Sequence, residues 1–600
     1  MTVGGRRIAI DSEQDQFRVL FRTFFQGLFE NDLVPETVDL RQSALWLAAV
    51  FMIPPAVFAL FLSLTYGSWM SDEELALRAV PQKLYFIGYS MAAVGFVTVL
   101  VWNKLFPDRR DAIVLGTLPI RPRTVVFARL AALVAAVAGF GIVVNLPGTV
   151  LFSFVAGNYL PLEAFLRYPV AHFVATVSAG LMVFLALVSL QTCIALVLPE
   201  RLQRRVSMLA QLLFVIALIE WLVFAPGMLV RLAAIDPGAT SETLAAADSP
   251  YQFVGLTSSR AGIWLPPVWF LGIYEVIWGF DAEAFRRLAG TGVLALVATF
   301  STATLTYCAV FRRVVRHALE ALPDTARRTG PISRTVTRLA GATILRHPVE
   351  QALVAFAARS LARSRRHRLL GAAYVGLGLA FVAGSFLSPV TGLAENALSE
   401  SLSAPSARLL SVPLVLSFFV LAALRVLFTI PTEIRANRIF RMTEIDDKAV
   451  YLNGSRKAMW LLGALPIAGV TFPAYAACWG SVPALQHTAF WLLMSGCLTE
   501  LLLHRFHKVP FACSYVPGKA NVKYLWPVYA LALTAYAYWT ARLEVWLLAD
   551  PVRWSIACAL LIACLGTCVP LRRRRLVSSK PLTYEEKVEK AVQVLGVMRT

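Results

Sequence analysis

The chain has 600 residues, of which 58% are hydrophobic and 15% are charged, and its mean hydropathy is +0.65. A soluble domain has about 45–50% apolar and about 25% charged residues, so this composition excludes an ordinary soluble protein and predicts an integral membrane protein. The net charge of +20 at pH 7 would suit nucleic acid, but the distribution of the basic residues along the chain argues against that partner.

Runs of about 20 apolar residues mark helices that can cross a hydrocarbon core of about 30 Å. About twelve such runs occur, at 44–66, 85–102, 130–156, 169–197, 208–229, 288–311, 369–388, 409–430, 459–480, 485–504, 525–547 and 553–570. The sequence therefore predicts an all-α polytopic membrane protein with about 12 transmembrane helices in two six-helix halves, together with interfacial amphipathic helices.

The charged residues predict the topology. The first 40 residues contain no short apolar segment before a small-residue cleavage site, so we expect no cleaved signal peptide. With a cytoplasmic N-terminus, most of the 56 Lys and Arg residues fall in cytoplasmic segments, and the external segments carry a small excess of acid. We therefore predict a multi-pass protein of a bacterial cytoplasmic (inner) membrane, with both termini cytoplasmic and no nucleic-acid partner.

The predicted organisation repeats one plan twice. Each half begins with an amphipathic basic segment, at 15–29 in the first half and at 349–368 in the second, and such segments lie in the membrane interface. The predicted parts are a cytoplasmic N-terminus (1–43), a first six-span half (44–312), a cytoplasmic linker (313–348), a second six-span half (349–570) and a cytoplasmic basic tail (571–600).

The first external loop contains SDEE at 71–74, and the last external segment of the first half contains LPPVWFLGIYEVIWG at 265–279. The acidic run is typical of a solvated loop, although paired acids after a first span also resemble the metal site of polytopic lipid-linked glycosyltransferases. The aromatic segment is too short to cross the membrane, so we expect a helix at the outer interface. Glu220 lies within a predicted span and is a candidate for lining a translocation cavity.

The first cytoplasmic loop has more structure than a connection needs. Residues 106–123 read FPDRRDAIVLGTLPIRPR. Pro107 ends the preceding helix, Asp108 suits a helix N-cap, and Pro119 ends the short apolar segment that follows. This pattern predicts a short helix parallel to the membrane, whereas the simpler alternative is a basic loop that only sets topology.

Residues 108–130, DRRDAIVLGTLPIRPRTVVFARL, resemble the first cytoplasmic loop of the membrane subunits of type-2 ABC exporters. The resemblance covers about 12–312, including the amphipathic helix before the first span and helices between the fifth and sixth spans, and it is weaker over 345–570. In that family the loop is the coupling helix that contacts a separate ATPase.

The resemblance implies an ATPase contact in each half. In the first half the implied contact residues are Asp108, Arg109, Arg110, Leu118, Pro119, Arg121 and Arg123. In the second half the cytoplasmic loop at 430–457 lacks the Leu-Pro turn, and only its position suggests Glu433, Arg435 and Arg438. Two contact surfaces imply two ATPase subunits for each chain.

The chain carries no ATP-hydrolysing motif of its own. Its Gly-Lys pair, Gly518 and Lys519, follows Cys513 and precedes Ala520, where a phosphate-binding loop needs Gly and Ser or Thr. Glu500, His504 and His507 share the spacing of a helical metal set but lack a fourth donor. We therefore expect no catalytic residues, no cofactor and no metal in this chain.

These observations predict the membrane permease of an ATP-driven exporter that moves an unidentified, lipid-like or amphipathic substrate. Two alternatives stay open: a secondary transporter driven by an ion gradient, and a membrane enzyme similar to the lipid-linked glycosyltransferases. A secondary transporter predicts broken helices with carboxylates near the membrane midplane. An enzyme predicts a paired acid and base on one side of the membrane.

Overall fold

The computed structural model describes most of the chain. The described residues are 2–3, 6–7, 13–29, 40–64, 66, 72–105, 120–157, 161–232, 264–279, 283–320, 347–387, 404–430, 448–504, 506, 509–511, 529 and 531–578. They divide into two compact units, Met1–Thr325 and Ala326–Thr600. The division falls within the predicted linker.

The described residues of unit 1 are helical apart from short connections and one pair of two-residue strands, β1 (Thr2–Val3) and β2 (Arg6–Arg7). Its helices are α1 (Glu13–Phe29), α2 (Leu40–Leu62), α3 (Asp72–Leu100), α4 (Pro122–Pro147), α5 (Ser153–Gly157), α6 (Leu162–Val197), α7 (Glu200–Leu232), α8 (Pro266–Trp278) and α9 (Glu283–Glu320). A 3₁₀ turn (Trp102–Leu105) follows α3, and a π-helical segment (Gly148–Phe152) joins α4 to α5.

The core of unit 1 lies where α3, α6 and α8 meet. Ala171, Ala175 and Ala179 recur at four-residue spacing on α6 and are fully buried in one cluster with Leu84 and Ile87 of α3. Small residues at this spacing let two helix backbones approach closely, which is how helices associate within a membrane.

Unit 2 contains α10 (Pro348–Arg363), α11 (Arg365–Leu387), α12 (Ala407–Leu427), α13 (Lys448–Met459), α14 (Leu465–Trp479), α15 (Ser481–Leu502), α16 (Thr540–Leu548) and α17 (Pro551–Ser578). Two π-helical segments, Trp460–Ala464 and Thr534–Trp539, precede α14 and α16. Its main core packs α12 against the α13–α14 region and α15, around residues such as Leu421 and Met459.

Within the described residues, nine helices are long and apolar enough to cross a membrane. Large apolar side chains are also exposed along them, for example Leu294 on α9 and Val470 on α14. These features confirm an all-α, membrane-embedded protein. The predicted runs at 44–66, 485–504 and 525–547 coincide with helical segments outside the nine, so the total of 12 stays a prediction.

Two local predictions need correction. The segment before the second predicted span is not a loop up to residue 84, because α3 already begins at Asp72. The helix within 265–279 is confirmed as α8, and it packs against α3, α6 and α9 with Tyr274 fully covered. Its position at the outer membrane interface stays a prediction. The amphipathic helix α1 turns Leu20 and Leu28 toward α4, so part of its apolar face contacts protein.

Candidate functional site

A buried ion pair joins α3 to α8 in the core of unit 1. The Lys83 Nζ atom donates to Glu275 Oε1 at 2.7 Å, and neither side chain is accessible to solvent. Removing two charges from water costs several kcal/mol for each ion, which only close and well-oriented partners recover. A charged residue at such depth is therefore a candidate functional residue as well as a structural one.

Aromatic rings complete the environment of the Lys83 ammonium group. The Nζ atom lies 5.4 Å from the ring centroid of Tyr168, 4.8 Å from that of Tyr274 and 4.3 Å from that of Trp278. The negative ring faces attract the cation, and this attraction is stronger without water. The rings come from α6 and α8, so the cation holds three helices together.

His172 on α6 forms the other side of this cluster and is fully buried. Its Nδ1 atom lies 3.5 Å from the Tyr274 hydroxyl, and its ring meets Phe86 edge to face at 5.0 Å. The Nε2 atom has no hydrogen-bond partner among the described residues. Gly148 of the π-helical segment makes room for it, because a Cβ atom there would lie 3.2 Å from Nε2.

A second polar contact follows about two helical turns further along α3. Asn145 Nδ2 donates to Ser90 Oγ at 2.8 Å, and Ser90 Oγ donates to the Thr176 carbonyl at 2.8 Å. Lys83 and Ser90 are seven residues apart, which is about 10 Å of helix. Polar contacts at both levels join α3 to its neighbours, so α3 cannot shift without breaking them.

Glu220, the predicted cavity residue, lies on α7 and is partly buried. Its Oε1 atom is buried without a hydrogen-bond partner among the described residues. No hydrogen bond or ion pair in the described part of the chain joins it to Lys83, Glu275 or His172. The neighbouring Trp221 donates to the Gly88 carbonyl at 3.0 Å and fixes α7 against α3.

Most of the predicted ATPase-contact residues lie outside the described residues. These are Asp108, Arg109, Arg110, Leu118 and Pro119 of the first loop, and Glu433, Arg435 and Arg438 of the second. Arg121 and Arg123 are described, and both are exposed at the start of α4.

The C-terminal end of the first loop is attached to the amphipathic helix α1. Arg121 Nη1 lies 3.1 Å from Glu13 Oε2, and Thr124 Oγ1 donates to Glu13 Oε1 at 3.1 Å. One carboxylate in the first turn of α1 therefore binds two residues at the start of α4, the N-cap Arg121 and Thr124. The Arg121 side chain stays largely exposed while it forms this ion pair, and Arg123 forms no ion pair among the described residues.

The N-terminal end of the same loop is attached to α4 and α9. The Leu105 carbonyl accepts a hydrogen bond from the buried Tyr307 hydroxyl at 2.8 Å, and the Lys104 carbonyl accepts one from Arg129 Nη2 at 2.9 Å. The Arg129 guanidinium also lies 5.1 Å from the Phe24 ring of α1. Side chains of unit 1 therefore hold both ends of the segment 106–119.

Unit 2 repeats this attachment with different residues. Glu350, in the first turn of its amphipathic helix α10, accepts a hydrogen bond from Lys457 Nζ of α13 at 2.5 Å. Before the second loop, the Ile430 carbonyl lies 3.0 Å from His367 Nε2 of α11. The Phe511 N–H donates to the Phe428 carbonyl at 2.9 Å. In each unit, an acid in the first turn of the amphipathic helix binds a base near the C-terminal end of the predicted coupling loop, Arg121 just before α4 and Lys457 within α13.

Glu500, one of the three aligned metal donors considered above, is part of an ion pair. Its Oε2 atom lies 2.6 Å from Arg456 Nη2. Within the described residues no group of three His, Cys, Asp or Glu side chains is arranged to hold a metal ion. His507 lies outside them.

Sequence reasoning missed Lys83, Glu275, His172 and the two acids Glu13 and Glu350. Isolated ionisable residues inside apolar stretches were the available signal for the first three. For the two acids the signal was an acidic residue in the first turn of each amphipathic segment.

Compared with known proteins, the chain matches no family model, no curated protein and no solved structure.

Proposed function

We propose that this chain is the transmembrane permease of an ATP-driven exporter, with about twelve spans in two halves. Two separate ATPase subunits would bind its cytoplasmic loops, at 106–123 and at 430–457. The substrate would be lipid-like or amphipathic and would cross the cytoplasmic membrane of a bacterium. In this proposal the chain has no catalytic activity of its own.

The attachment of both loops to their amphipathic helices supports this proposal best. Glu13 with Arg121 in unit 1, and Glu350 with Lys457 in unit 2, place equivalent contacts beside equivalent loops. A loop that only sets topology needs no such contacts. A loop that transmits a displacement from a partner needs ends attached to the membrane helices. In unit 1 the buried bond from Tyr307 to the Leu105 carbonyl is the stronger attachment, and the exposed pair of Glu13 and Arg121 adds about 1 kcal/mol or less.

The contacts also indicate which helices would move with the first loop. A force on 106–119 reaches α4 through Arg121 and reaches α9 through the bond from Tyr307 to the Leu105 carbonyl. The same loop follows α3, which carries Lys83 and Ser90 in the core. We infer that movement of the loop displaces α3 and α4 together, and that the buried polar contacts resist or guide this movement.

The proposal is tested by purifying the tagged chain in mild detergent and identifying the proteins that copurify by mass spectrometry. We expect a phosphate-binding-loop ATPase at two copies per chain. Changing Arg109, Arg110, Arg121 and Arg123 to Glu should release it, because these residues form the first contact surface.

The matched control changes Arg572, Arg573, Arg574 and Arg575 to Glu, which alters the net charge equally in the predicted cytoplasmic tail. This variant should retain the ATPase. A wild-type chain that purifies without any ATPase at low and high salt would contradict the proposal. So would equal loss of the ATPase in both variants.

The buried ion pair favours a second candidate, a transporter driven by an ion gradient. Lys83 and Glu275 are ionisable groups inside an apolar helical core, as such transporters require. This candidate predicts that a proton or sodium gradient alone drives a fluorescent lipid probe across proteoliposomes that contain only this chain. Transport that needs both the ATPase and ATP would reject it.

A further inference from the structure

A second buried ionisable pair lies in unit 2, outside the contacts already described. His487 on α15 and Glu544 on α16 are joined by a contact of 2.7 Å between Nδ1 and Oε1. Their side chains are 1% and 0% exposed. The two residues are 57 positions apart, so the fold brings them together.

Each member of the pair has a second polar atom that the described residues leave without a partner. These atoms are His487 Nε2 and Glu544 Oε2, and both are buried. The surroundings are aromatic, since the ring of Tyr475 lies 5.3 Å from the imidazole and that of Trp479 lies 6.4 Å from it. Buried polar atoms without partners lose their hydration without compensation, so the pair is costly to bury.

The neighbouring charged and titratable groups do not neutralise this pair. Tyr475 on α14 donates its hydroxyl to the Leu409 carbonyl at 2.7 Å, and Cys558 on α17 is a buried thiol. Further such groups at this end of the helices are Cys478 on α14, Arg408 on α12, Tyr538 and Arg542 at α16, and Asp550 paired with Arg553 of α17. Among the described residues, His487 is the one ion-pair partner of Glu544.

We propose that His487 and Glu544 form a proton-binding site that holds one proton while this end of unit 2 is closed. A neutral histidine beside a glutamate anion would leave a net negative charge in a dry interior. A histidinium cation beside a neutral glutamic acid would leave a net positive charge. One added proton shared across the 2.7 Å contact makes the pair neutral, which burial strongly favours. The unpartnered atoms are closed to solvent, so a proton is the ligand that reaches them without a cavity.

The position of the pair indicates how the proton leaves. His487 is six residues from the start of α15, about 9 Å along the helix, and Glu544 is four residues from the end of α16. The predicted topology places these helix ends on the external side. When they separate, water reaches Nε2 and Oε2, hydrates the charged forms and accepts the proton, so external pH biases the closed state.

The test measures reversible unfolding of the full chain in detergent–SDS micelles between pH 5 and pH 9, without any ATPase. Free histidine and glutamate side chains titrate near about pH 6.5 and about pH 4.3. Above about pH 7 the unfolded pair holds no added proton, whereas the closed pair holds one. The quantity compared is the folded-to-unfolded ratio of the wild type divided by the same ratio of the variant His487→Gln/Glu544→Gln. Above about pH 7 this quotient should fall about tenfold per pH unit.

Between about pH 5 and pH 6 the folded and the unfolded states both hold one added proton. The folded-to-unfolded ratio of the wild type, divided by that of the double variant, should therefore be constant in this range. Glu500→Gln removes the acid of a partly buried pair in the same unit and should keep the wild-type slope. If the double variant does not fold, His487→Gln alone should already decline between pH 5 and pH 6, because its unfolded state then loses the added proton near the titration of free glutamate at about pH 4.3.

Parallel pH profiles of the wild type and the double variant would overturn the inference. An unshifted onset in His487→Gln would overturn it as well. The result does not depend on the proposed exporter function, because the isolated chain is measured. Failure to copurify an ATPase would therefore not affect this inference. Likewise, parallel pH profiles would not affect the exporter proposal.

Discussion

Replacing Lys83 with methionine tests whether the buried ion pair fixes α8 in unit 1. Methionine keeps most of the volume of the lysine stem but removes the charge. Glu275 Oε1 then loses its donor at 2.7 Å in a site without solvent. Breaking a buried pair by removing one partner costs about 3–5 kcal/mol, since the remaining charge stays buried without its counter-charge. The lost attraction to the three aromatic rings is included in that range.

The variant Lys83→Met/Glu275→Leu should recover most of this loss. Replacing both partners with apolar groups of similar volume is often neutral, because the charges no longer have to leave water. A double-mutant cycle should therefore give a large favourable interaction between the two positions. Lys457→Met is the matched control, because 31% of the lysine side chain is exposed although its partner Glu350 is buried. We expect the control to cost less than Lys83→Met, since water can still reach the site of the lost cation.

The assay is the midpoint of unfolding in detergent–SDS micelles, followed by near-ultraviolet circular dichroism of the aromatic residues. A loss of about 3–5 kcal/mol changes the folded-to-unfolded ratio by more than a hundredfold, because each 1.4 kcal/mol is about tenfold. The reasoning fails if the double variant is as unstable as the sum of the two single variants. It also fails if Lys83→Met costs no more than Lys457→Met.

Two further changes test the packing, one in each unit. Gly272→Ala should destabilise the protein by about 1–3 kcal/mol, because the added Cβ would meet the backbone N of Ala289 at 2.5 Å. Gly290→Ala, which has open space around the added Cβ, should leave the midpoint of unfolding unchanged, and equal effects of both changes would contradict the packing of α8 on α9. Phe511→Ala should cost about 3–5 kcal/mol, because this buried ring packs 5.3 Å from the ring of Phe428, and a loss below about 1 kcal/mol would show that the contact is unimportant.

The sequence predicted the helices where the apolar signal was strong and continuous. The runs at 130–156 and 169–197 correspond to α4 with its π-helical extension and to α6. The beginning of α3 was missed because Gln82 and Lys83 lower the hydropathy of that stretch. The fold satisfies both side chains internally, through Tyr66 for Gln82 and through Glu275 for Lys83, so the helix continues where a hydropathy window predicts a loop.

The site was harder to predict than the helices because its pairs are distant in sequence. Lys83 and Glu275 are 192 residues apart, and Arg121 and Glu13 are 108 apart. Periodicity identifies which residues share a face of one helix, but it does not show which helices touch. Local motifs sufficed to predict the segment 106–123 as a coupling loop. The acid that contacts its C-terminal end, Glu13, was identified only from the tertiary structure.

Photo-crosslinking from the first loop tests the proposed ATPase contact most directly. A photoreactive amino acid at position 118 in native membranes should capture a phosphate-binding-loop ATPase. The same group at position 294, an exposed apolar residue of α9, should capture lipid or no protein. Capture of an ATPase from position 118 and not from position 294 is the result that the exporter proposal predicts. Capture of lipid alone from both positions, in cells where the chain is expressed and folded, would contradict it.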